Sequence, residues 1–344
     1  MKTLVTGATG HLGANLVRRL LDDGHAVRAL LREKDPPALA GLDVEQVTGD
    51  LRDPAACRAA VRGCEGVHHT AAVVSTIDGD AQHKRDIFEI NVLGTRHLLD
   101  AARAEGVAKV VVTGSLSATG HDPARPSDET MPFDPLQKHL PYGRSKAAVE
   151  HECLKAFADG LPVVIATSCA ILGPHDYKPS RMGRLLLDFA HGQLRAYVPG
   201  GFEFVAARDM ANGHALAMAK GRPGQKYIIC TQFMTVDQLL DIYEEVTGQK
   251  RPALRIPGPV MSAIAEVSDI YYRWLAPTAP RRFTPAAVRF LRMERRADCS
   301  KAKQELGFAP TTIREAIRDA FDDFVRRGLI TKASAPAVAA GVHA

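Results

Sequence analysis

The stretch Thr3-Leu-Val-Thr-Gly7-Ala-Thr-Gly10-His-Leu-Gly13 decides the fold. A short apolar strand over 3–6 runs into glycines at 7, 10 and 13. Apolar residues at helical spacing follow over 12–23, up to Gly24. Glycines so placed permit a tight turn and let a phosphate approach the backbone. The helix start presents unpaired N–H groups and the positive end of its dipole. The pattern predicts a nucleotide-binding strand–turn–helix, with Thr6, Gly7, Thr9, Gly10, His11, Leu12 and Gly13 as its cofactor contacts.

The alternation continues outward. Strands are predicted over 27–31, 44–48, 67–71, 110–113 and 163–167, and helices over 54–61, 88–105 and 142–158. Such alternation requires crossover connections and gives an α/β, doubly wound parallel sheet (Rossmann). Ligands of these sheets sit beyond the carboxyl ends of the strands. Residues 1–170 are expected to form the dinucleotide-binding domain. The pattern loosens over 171–330, read as a smaller substrate-binding region interleaved with the last strands, with helices at 239–247 and 313–327. Residues 331–344 are Ala-rich and are read as a disordered tail.

Composition narrows the class. Of 344 residues, 24% are charged and 46% apolar, as in ordinary globular enzymes. A net charge of +5 suits an anionic cofactor and is too small and scattered for nucleic acid. No apolar run is long enough for an integral membrane segment. Six cysteines without a CxxC pair, and a start that runs directly into strand one, predict free thiols and a cytoplasmic location. His68 and His69 are adjacent on a strand and point to opposite faces, so no metal site is expected. Arg281, Arg282, Arg292, Arg295 and Arg296 read as a solvated basic face. The segment 264–274, with Ile270, Tyr271, Tyr272 and Trp274, reads as a packed helix or an apolar lid over the substrate.

The end of strand two speaks to the cofactor. NAD-binding folds usually carry an acid there for the ribose 2′-hydroxyl. Here the position is Leu31, and Arg32 follows, with Lys34 a second cation nearby. A guanidinium suits a 2′-phosphate. NADP(H) is therefore expected, with NAD(H) the alternative. Asp50, after strand three, is placed to accept from the adenine amino group.

Tyr142-Gly-Arg-Ser-Lys146 sets a phenol and an ammonium one helical turn apart on a shared face. A nearby cation makes a phenol a usable acid or base. In Val111-Val-Thr-Gly-Ser115-Leu-Ser117, a hydroxyl at the end of strand five could polarise a carbonyl, and Ser115 and Ser117 both qualify.

Together these residues resemble the extended short-chain dehydrogenases/reductases of the NAD-dependent epimerase/dehydratase superfamily, over roughly residues 1–330. The marks are TGxxGxxG at 6–13, GDLRD at 49–53, HHTAA at 68–72, INVLGT at 90–95, YGRSK at 142–146, LGPHD at 172–176 and SKAKQELGF at 300–308. VRALLR at 27–32 with LDVEQVTGDLRD is similar to the dihydroflavonol-reductase-like and hydroxysteroid-dehydrogenase-like branch, and the segment 175–201 to hopanoid-associated sugar-epimerase-like proteins. The resemblance selects Ser115, five residues before Gly120, as the catalytic serine beside Tyr142 and Lys146. It implies that Leu51, Thr70, Ala71, Ala72, Asn91, Thr113 and Ser168 also line the cofactor, with Asn91 supporting the lysine side. It also implies a homodimer and a small-molecule carbonyl substrate, apolar or aromatic. The alternative is an NAD-dependent sugar-nucleotide epimerase or dehydratase. Three departures stand out: Ser168 replaces the usual proline, Arg208 an acid, and Ala118-Thr-Gly120 lacks the tyrosine typical of sugar enzymes.

Overall fold

The computed structural model describes residues 1–75, 77, 79–133, 141–261 and 291–331. The lid or helix read at 264–274, Arg281 and Arg282, and nearly all of the tail lie outside the described residues.

The first half runs β1 (Lys2–Thr6), α1 (His11–Asp22), β2 (Ala26–Leu31), β3 (Val44–Thr48), α2 (Pro54–Val61), β4 (Gly66–His69), α3 (Ala81–Phe88), α4 (Gly94–Ala104), β5 (Lys109–Ser115), α5 (Pro141–Ala158) and β6 (Val163–Ser168). The second half runs β7 (Ala170–Leu172), α6 (Arg181–Ala190), β8 (Ala196–Tyr197), β9 (Gly201–Ala206), α7 (Ala207–Lys220), β10 (Lys226–Ile229), β11 (Gln232–Thr235), α8 (Val236–Thr247), β12 (Leu254–Arg255) and α9 (Ile313–Arg326).

Seven parallel strands form the main sheet in the order β10-β6-β5-β4-β1-β2-β3. The chain leaves β1 toward β2 and β3 on one side and toward β4, β5 and β6 on the other. The crevice this reversal opens, beyond the carboxyl ends of β1 and β4, is where such sheets bind ligands. Late in the chain, β10 returns to pair with β6.

Side-chain alternation explains why both faces are covered. Val110 and Val112 of β5 pack with Leu98, Ala102 and Val149 of α4 and α5, whereas Val111 packs toward Met210 and Ala217 of α7. On α1, Leu12, Leu16, Val17 and Leu20 make one buried stripe at helical spacing. Each such leucine contributes about 1.5–3 kcal/mol when fully buried. A second core joins β7, β9, α6, α8 and α9 through Leu186, Phe189, Phe204, Tyr243, Ile317 and Phe324. Thr235 and Gln238 close a capping box on α8.

Two differences from the sequence pattern bear on the site. β4 ends at His69 rather than residue 71, because the Thr70 N–H and hydroxyl both turn to the Thr6 carbonyl, at 3.1 and 2.7 Å. The helix predicted from residue 88 starts at Ala81 and passes through a π turn, Glu89–Leu93, before α4. Among the described residues no helix is long and apolar enough to cross a membrane. All six cysteines are free.

Candidate active site

The glycine loop between β1 and α1 is shaped for an anion. Gly7 has φ +72°, and a Cβ there would stand 2.6 Å from the Ala71 nitrogen. A Cβ on Gly13 would stand 2.1 Å from the Gly7 carbonyl oxygen. Only glycine fits both places. The Gly10 N–H donates to Gly7 O at 2.9 Å, and no side chain caps α1. The cradle and the uncapped helix start fit a pyrophosphate. The His11 ring turns away, to the Gly173 carbonyl at 3.1 Å, and burial lowers its pKa. Thr9 and Gly10 lie at the solvent side of the loop, and Leu12 is buried beneath it. Thr70, Ala71 and Ala72 form the facing wall after β4, half-buried.

At the far edge Leu31 is buried in the core and Arg32 is exposed. Asp50 is engaged by its neighbour: Arg52 meets both its oxygens, at 3.0 and 2.8 Å, and its backbone N–H adds a bond at 2.9 Å. Those bonds, with smaller contributions from the Arg52 and Arg32 charges, hold the Asp50 carboxyl down at about 2. Leu51 is buried, and its carbonyl accepts from His97 at 3.1 Å.

The candidate catalytic groups gather near the end of β5. The strand stops at Ser115 and a 3-10 turn, Leu116–Ala118, takes over. Ser117 therefore does not continue the strand face; its hydroxyl lies 2.8 Å from Ser115 Oγ. The Ser115 hydroxyl lies near enough to the Tyr142 phenol to act on its pKa. Burial pushes that phenol up to about 12, and Ser115 offsets part of the rise. One helical turn on, Lys146 is buried, and its Nζ donates to the Thr113 carbonyl at 2.9 Å. Burial pulls its pKa down to about 8. The Lys146 ammonium is turned to Thr113, and burial is the larger influence on the phenol. Ser168 pairs in register with Ser115 across β5 and β6, and its hydroxyl donates to the Cys169 carbonyl at 2.9 Å.

Asn91 sits in the π turn, buried. Its Oδ1 accepts from Val73 N at 2.7 Å, and its Nδ2 donates to Val73 O and to Ser145 Oγ, both at 3.0 Å. A π turn inside a helix recurs at functional sites. It joins the loop after β4 to the helix that carries Tyr142.

Sequence reasoning missed the buried imidazoles and the Thr95 hydroxyl beneath these residues. The Thr113 hydroxyl donates to the His69 carbonyl and meets His214 Nε2, each at 3.0 Å. The His69 ring lies between Thr6 and Thr95, at 2.7 and 2.9 Å. The only signal was the HHTAA string itself. Among the described residues no group of three or more His, Cys, Asp or Glu side chains could hold a metal ion.

The departure at Arg208 has a local account: its guanidinium reaches Glu315 and Asp319 of α9, at 3.7 and 3.6 Å, on an exposed surface. The next residue, Asp209, is buried and bound by Thr231 and by Thr311.

A glycine cradle lies at the sheet crossover, and Ser115, Tyr142 and Lys146 gather near the end of β5. The chain belongs to the NAD-dependent epimerase/dehydratase family, whose model matches residues 3–230. It is 46% identical over 331 residues to sterol demethylase protein B of Methylococcus capsulatus, covering 96% of this chain and 100% of that one. It is 34% identical to a protein of Synechocystis provisionally named dihydroflavonol 4-reductase, over 95% of both chains. The crystal structure of gox2253 superposes with a TM-score of 0.83 at 34% identity, over 96% of this chain and 99% of that one. The extended short-chain dehydrogenase/reductase reading is thus borne out. The chain is an oxidoreductase of an NAD-dependent family, similar to proteins named as a reductase, a hydroxysteroid dehydrogenase and a ketoreductase.

Proposed function

We propose that the protein is an NADP(H)-dependent reductase of a ketone or aldehyde carbonyl on an apolar, polycyclic or aromatic substrate. One observation carries the reading: Ser115 ends β5 near the Tyr142 phenol, close enough to lower its pKa, with Lys146 one turn along the same helix. Ser115 orients and polarises the carbonyl oxygen. Tyr142, whose phenol burial keeps protonated at neutral pH, gives that oxygen its proton. Lys146 holds the ribose side of the cofactor and steadies the helix. A bound NADP(H) supplies the hydride.

Gly7, Gly10 and Gly13 seat the pyrophosphate, with Thr6, Thr9, His11 and Leu12 completing the loop. Thr70, Ala71, Ala72, Asn91, Thr113 and Ser168 wall the rest of the cofactor, and Leu51 and Asp50 its adenine. Exposed Arg32, beside a buried Leu31 where an acid would select NAD, supports the phosphorylated cofactor. The name of the sterol demethylase relative supports a polycyclic substrate. Exposed Leu154 and Phe157 on α5 and Phe88 on α3 support a homodimer.

The test is a spectrophotometric NADPH-oxidation screen over steroid ketones, aromatic ketones and aldehydes, repeated with Tyr142→Phe. Wild type is expected to turn over, and the variant to lose turnover while binding NADPH with nearly unchanged affinity. Activity retained by Tyr142→Phe would sink the assignment. Stoichiometric NAD that copurifies, with no net NADPH oxidation, would instead mark the epimerase or dehydratase alternative.

A further inference from the structure

Hydroxyl groups fix the direction of every hydrogen bond around His69. The Thr95 hydroxyl donates to the Asn91 carbonyl oxygen, which can only accept. Its one proton is used there, so toward His69 Nε2, 2.9 Å away, it accepts, and Nε2 carries the ring proton. Burial, aided by the Lys146 charge, pushes His69 down to about 3, so the ring is neutral and Nδ1 is bare. The Thr6 hydroxyl, at 2.7 Å, donates to that nitrogen. Beyond Asn91 the path continues through its side chain. Nδ2 donates to Ser145 Oγ at 3.0 Å, and Ser145 Oγ donates to the Tyr142 carbonyl at 2.8 Å.

A second arm leaves the His69 backbone. Its carbonyl accepts from the Thr113 hydroxyl at 3.0 Å, and the Thr113 carbonyl takes the Lys146 ammonium at 2.9 Å. His69 is thus joined to the start of the glycine loop by its ring, to Tyr142 through Thr95, Asn91 and Ser145, and to Lys146 through Thr113. The adjacent His68 shows the contrast. It is equally buried, yet among the described residues neither of its ring nitrogens has a hydrogen-bond partner. Burial alone accounts for His68 and leaves the directed bonds of His69 unexplained.

We propose that His69 is a positioning residue that registers the helix bearing Tyr142 and Lys146 against the dinucleotide loop at Thr6. The inference rests on the reading above, in which that loop seats the cofactor and those two residues serve catalysis. The imidazole offers one acceptor and one donor on a rigid ring, and the two hydroxyls beside it require that order. An apolar residue of similar size would fill the space and break both connections. Small misplacements of catalytic groups cost much in rate, up to about a hundredfold for roughly 1 Å.

Hydrogen exchange read by mass spectrometry, with and without NADP+ and in parallel NAD+, tests this together with steady-state kinetics on the best carbonyl substrate of the screen. Wild type, Thr95→Val, Thr95→Ser, His69→Leu and His69→Gln are compared. In wild type, bound dinucleotide is expected to slow exchange both in the glycine loop and in the first turns of α5. Thr95→Val and His69→Leu should keep the slowing in the loop and lose it in α5. Their kcat should fall about ten- to hundredfold with KM little changed. Thr95→Ser and His69→Gln, which keep an acceptor and a donor, should recover most of both. Equal behaviour of Thr95→Val and Thr95→Ser, or a lowered Tm with α5 protection and kcat intact, would overturn the positioning role. Wild type showing no dinucleotide-dependent slowing in the loop would instead remove the cofactor reading beneath it.

Discussion

Lys146 Nζ donates to the carbonyl oxygen of Thr113 at 2.9 Å, fastening the second turn of α5 to the end of β5. Burial holds that ammonium at about 8, below the roughly 10.4 of an unfolded lysine. Between those values the unfolded chain binds more protons than the native one, so this lysine makes stability rise with pH across that window. Lys146→Met lacks the term. The Tm of wild type relative to Lys146→Met is expected to climb between pH 8 and 10, measured by calorimetry. A flat difference would show that the lysine is not held as described.

His68 gives the acid counterpart. Burial, with a smaller effect of His25, keeps its pKa at about 3, and its ring nitrogens have no hydrogen-bond partner among the described residues. Its contribution to stability is intact above about 6.5 and is lost as pH falls toward 3, because the unfolded imidazole takes the proton first. His68→Leu should therefore raise Tm relative to wild type more at pH 5 than at pH 8. The unmet polar atoms cost about 1–3 kcal/mol, which sets the gain that the leucine's imperfect fit offsets. Thermal melts across pH decide it.

Gly13→Ala places a methyl 2.1 Å from Gly7 O, a backbone atom that cannot yield cheaply. The expected result is a lower Tm and dinucleotide binding weakened by at least about tenfold, the equivalent of roughly 1.4 kcal/mol. Gly24→Ala is the control. Its φ is +77° but its Cβ meets nothing within 4 Å, so it should lower Tm with dinucleotide Kd unchanged. Titration calorimetry reads both.

Ser115→Ala removes the hydroxyl that acts on the Tyr142 phenol. The expected loss in kcat is about a hundred- to a thousandfold. Ser117→Ala, in the 3-10 turn, should change kcat by less than about threefold on the same scale. Single-turnover kinetics with the best carbonyl substrate separates the two. Equal losses would mean that the pair works as one unit.

Arg32→Ser should weaken NADPH by about tenfold or more and leave NADH nearly unchanged, since a charge-assisted bond to phosphate contributes about 1.5–3 kcal/mol. Parallel Kd measurements for the two cofactors check it. Equal effects on both would remove the phosphate from the cofactor assignment.

Much of the fold was legible because it is local. Strand and helix periodicity follow from side chains alternating every two or 3.6 residues, and the glycine loop follows from sterics within eleven residues. The first six strands fall close to where the pattern puts them, with β4 shorter at its end. The π turn at Asn91 was not legible, since one extra residue in a helical turn leaves the apolar spacing nearly unchanged. Nor was the return of β10 to pair with β6, which depends on contacts made some sixty residues away in the chain.

The candidate site divides the same way. Tyr142 and Lys146 were readable because four residues on a helix fix a shared face. Ser115 and Ser117 were not separable from spacing, and the resemblance chose between them. The fold distinguishes them physically, by ending β5 at Ser115 and turning Ser117 into a 3-10 helix.

By itself, the sequence determined a doubly wound sheet, a glycine cradle and a phenol–ammonium helix, all products of short-range periodicity and turn sterics. Only the tertiary structure decided that Asp50 is taken by Arg52, that Lys146 faces Thr113 rather than the phenol, and that His69 lies between Thr6 and Thr95. A buried polar atom's partner is set by which strands and helices pack together, and no spacing along the chain encodes that choice.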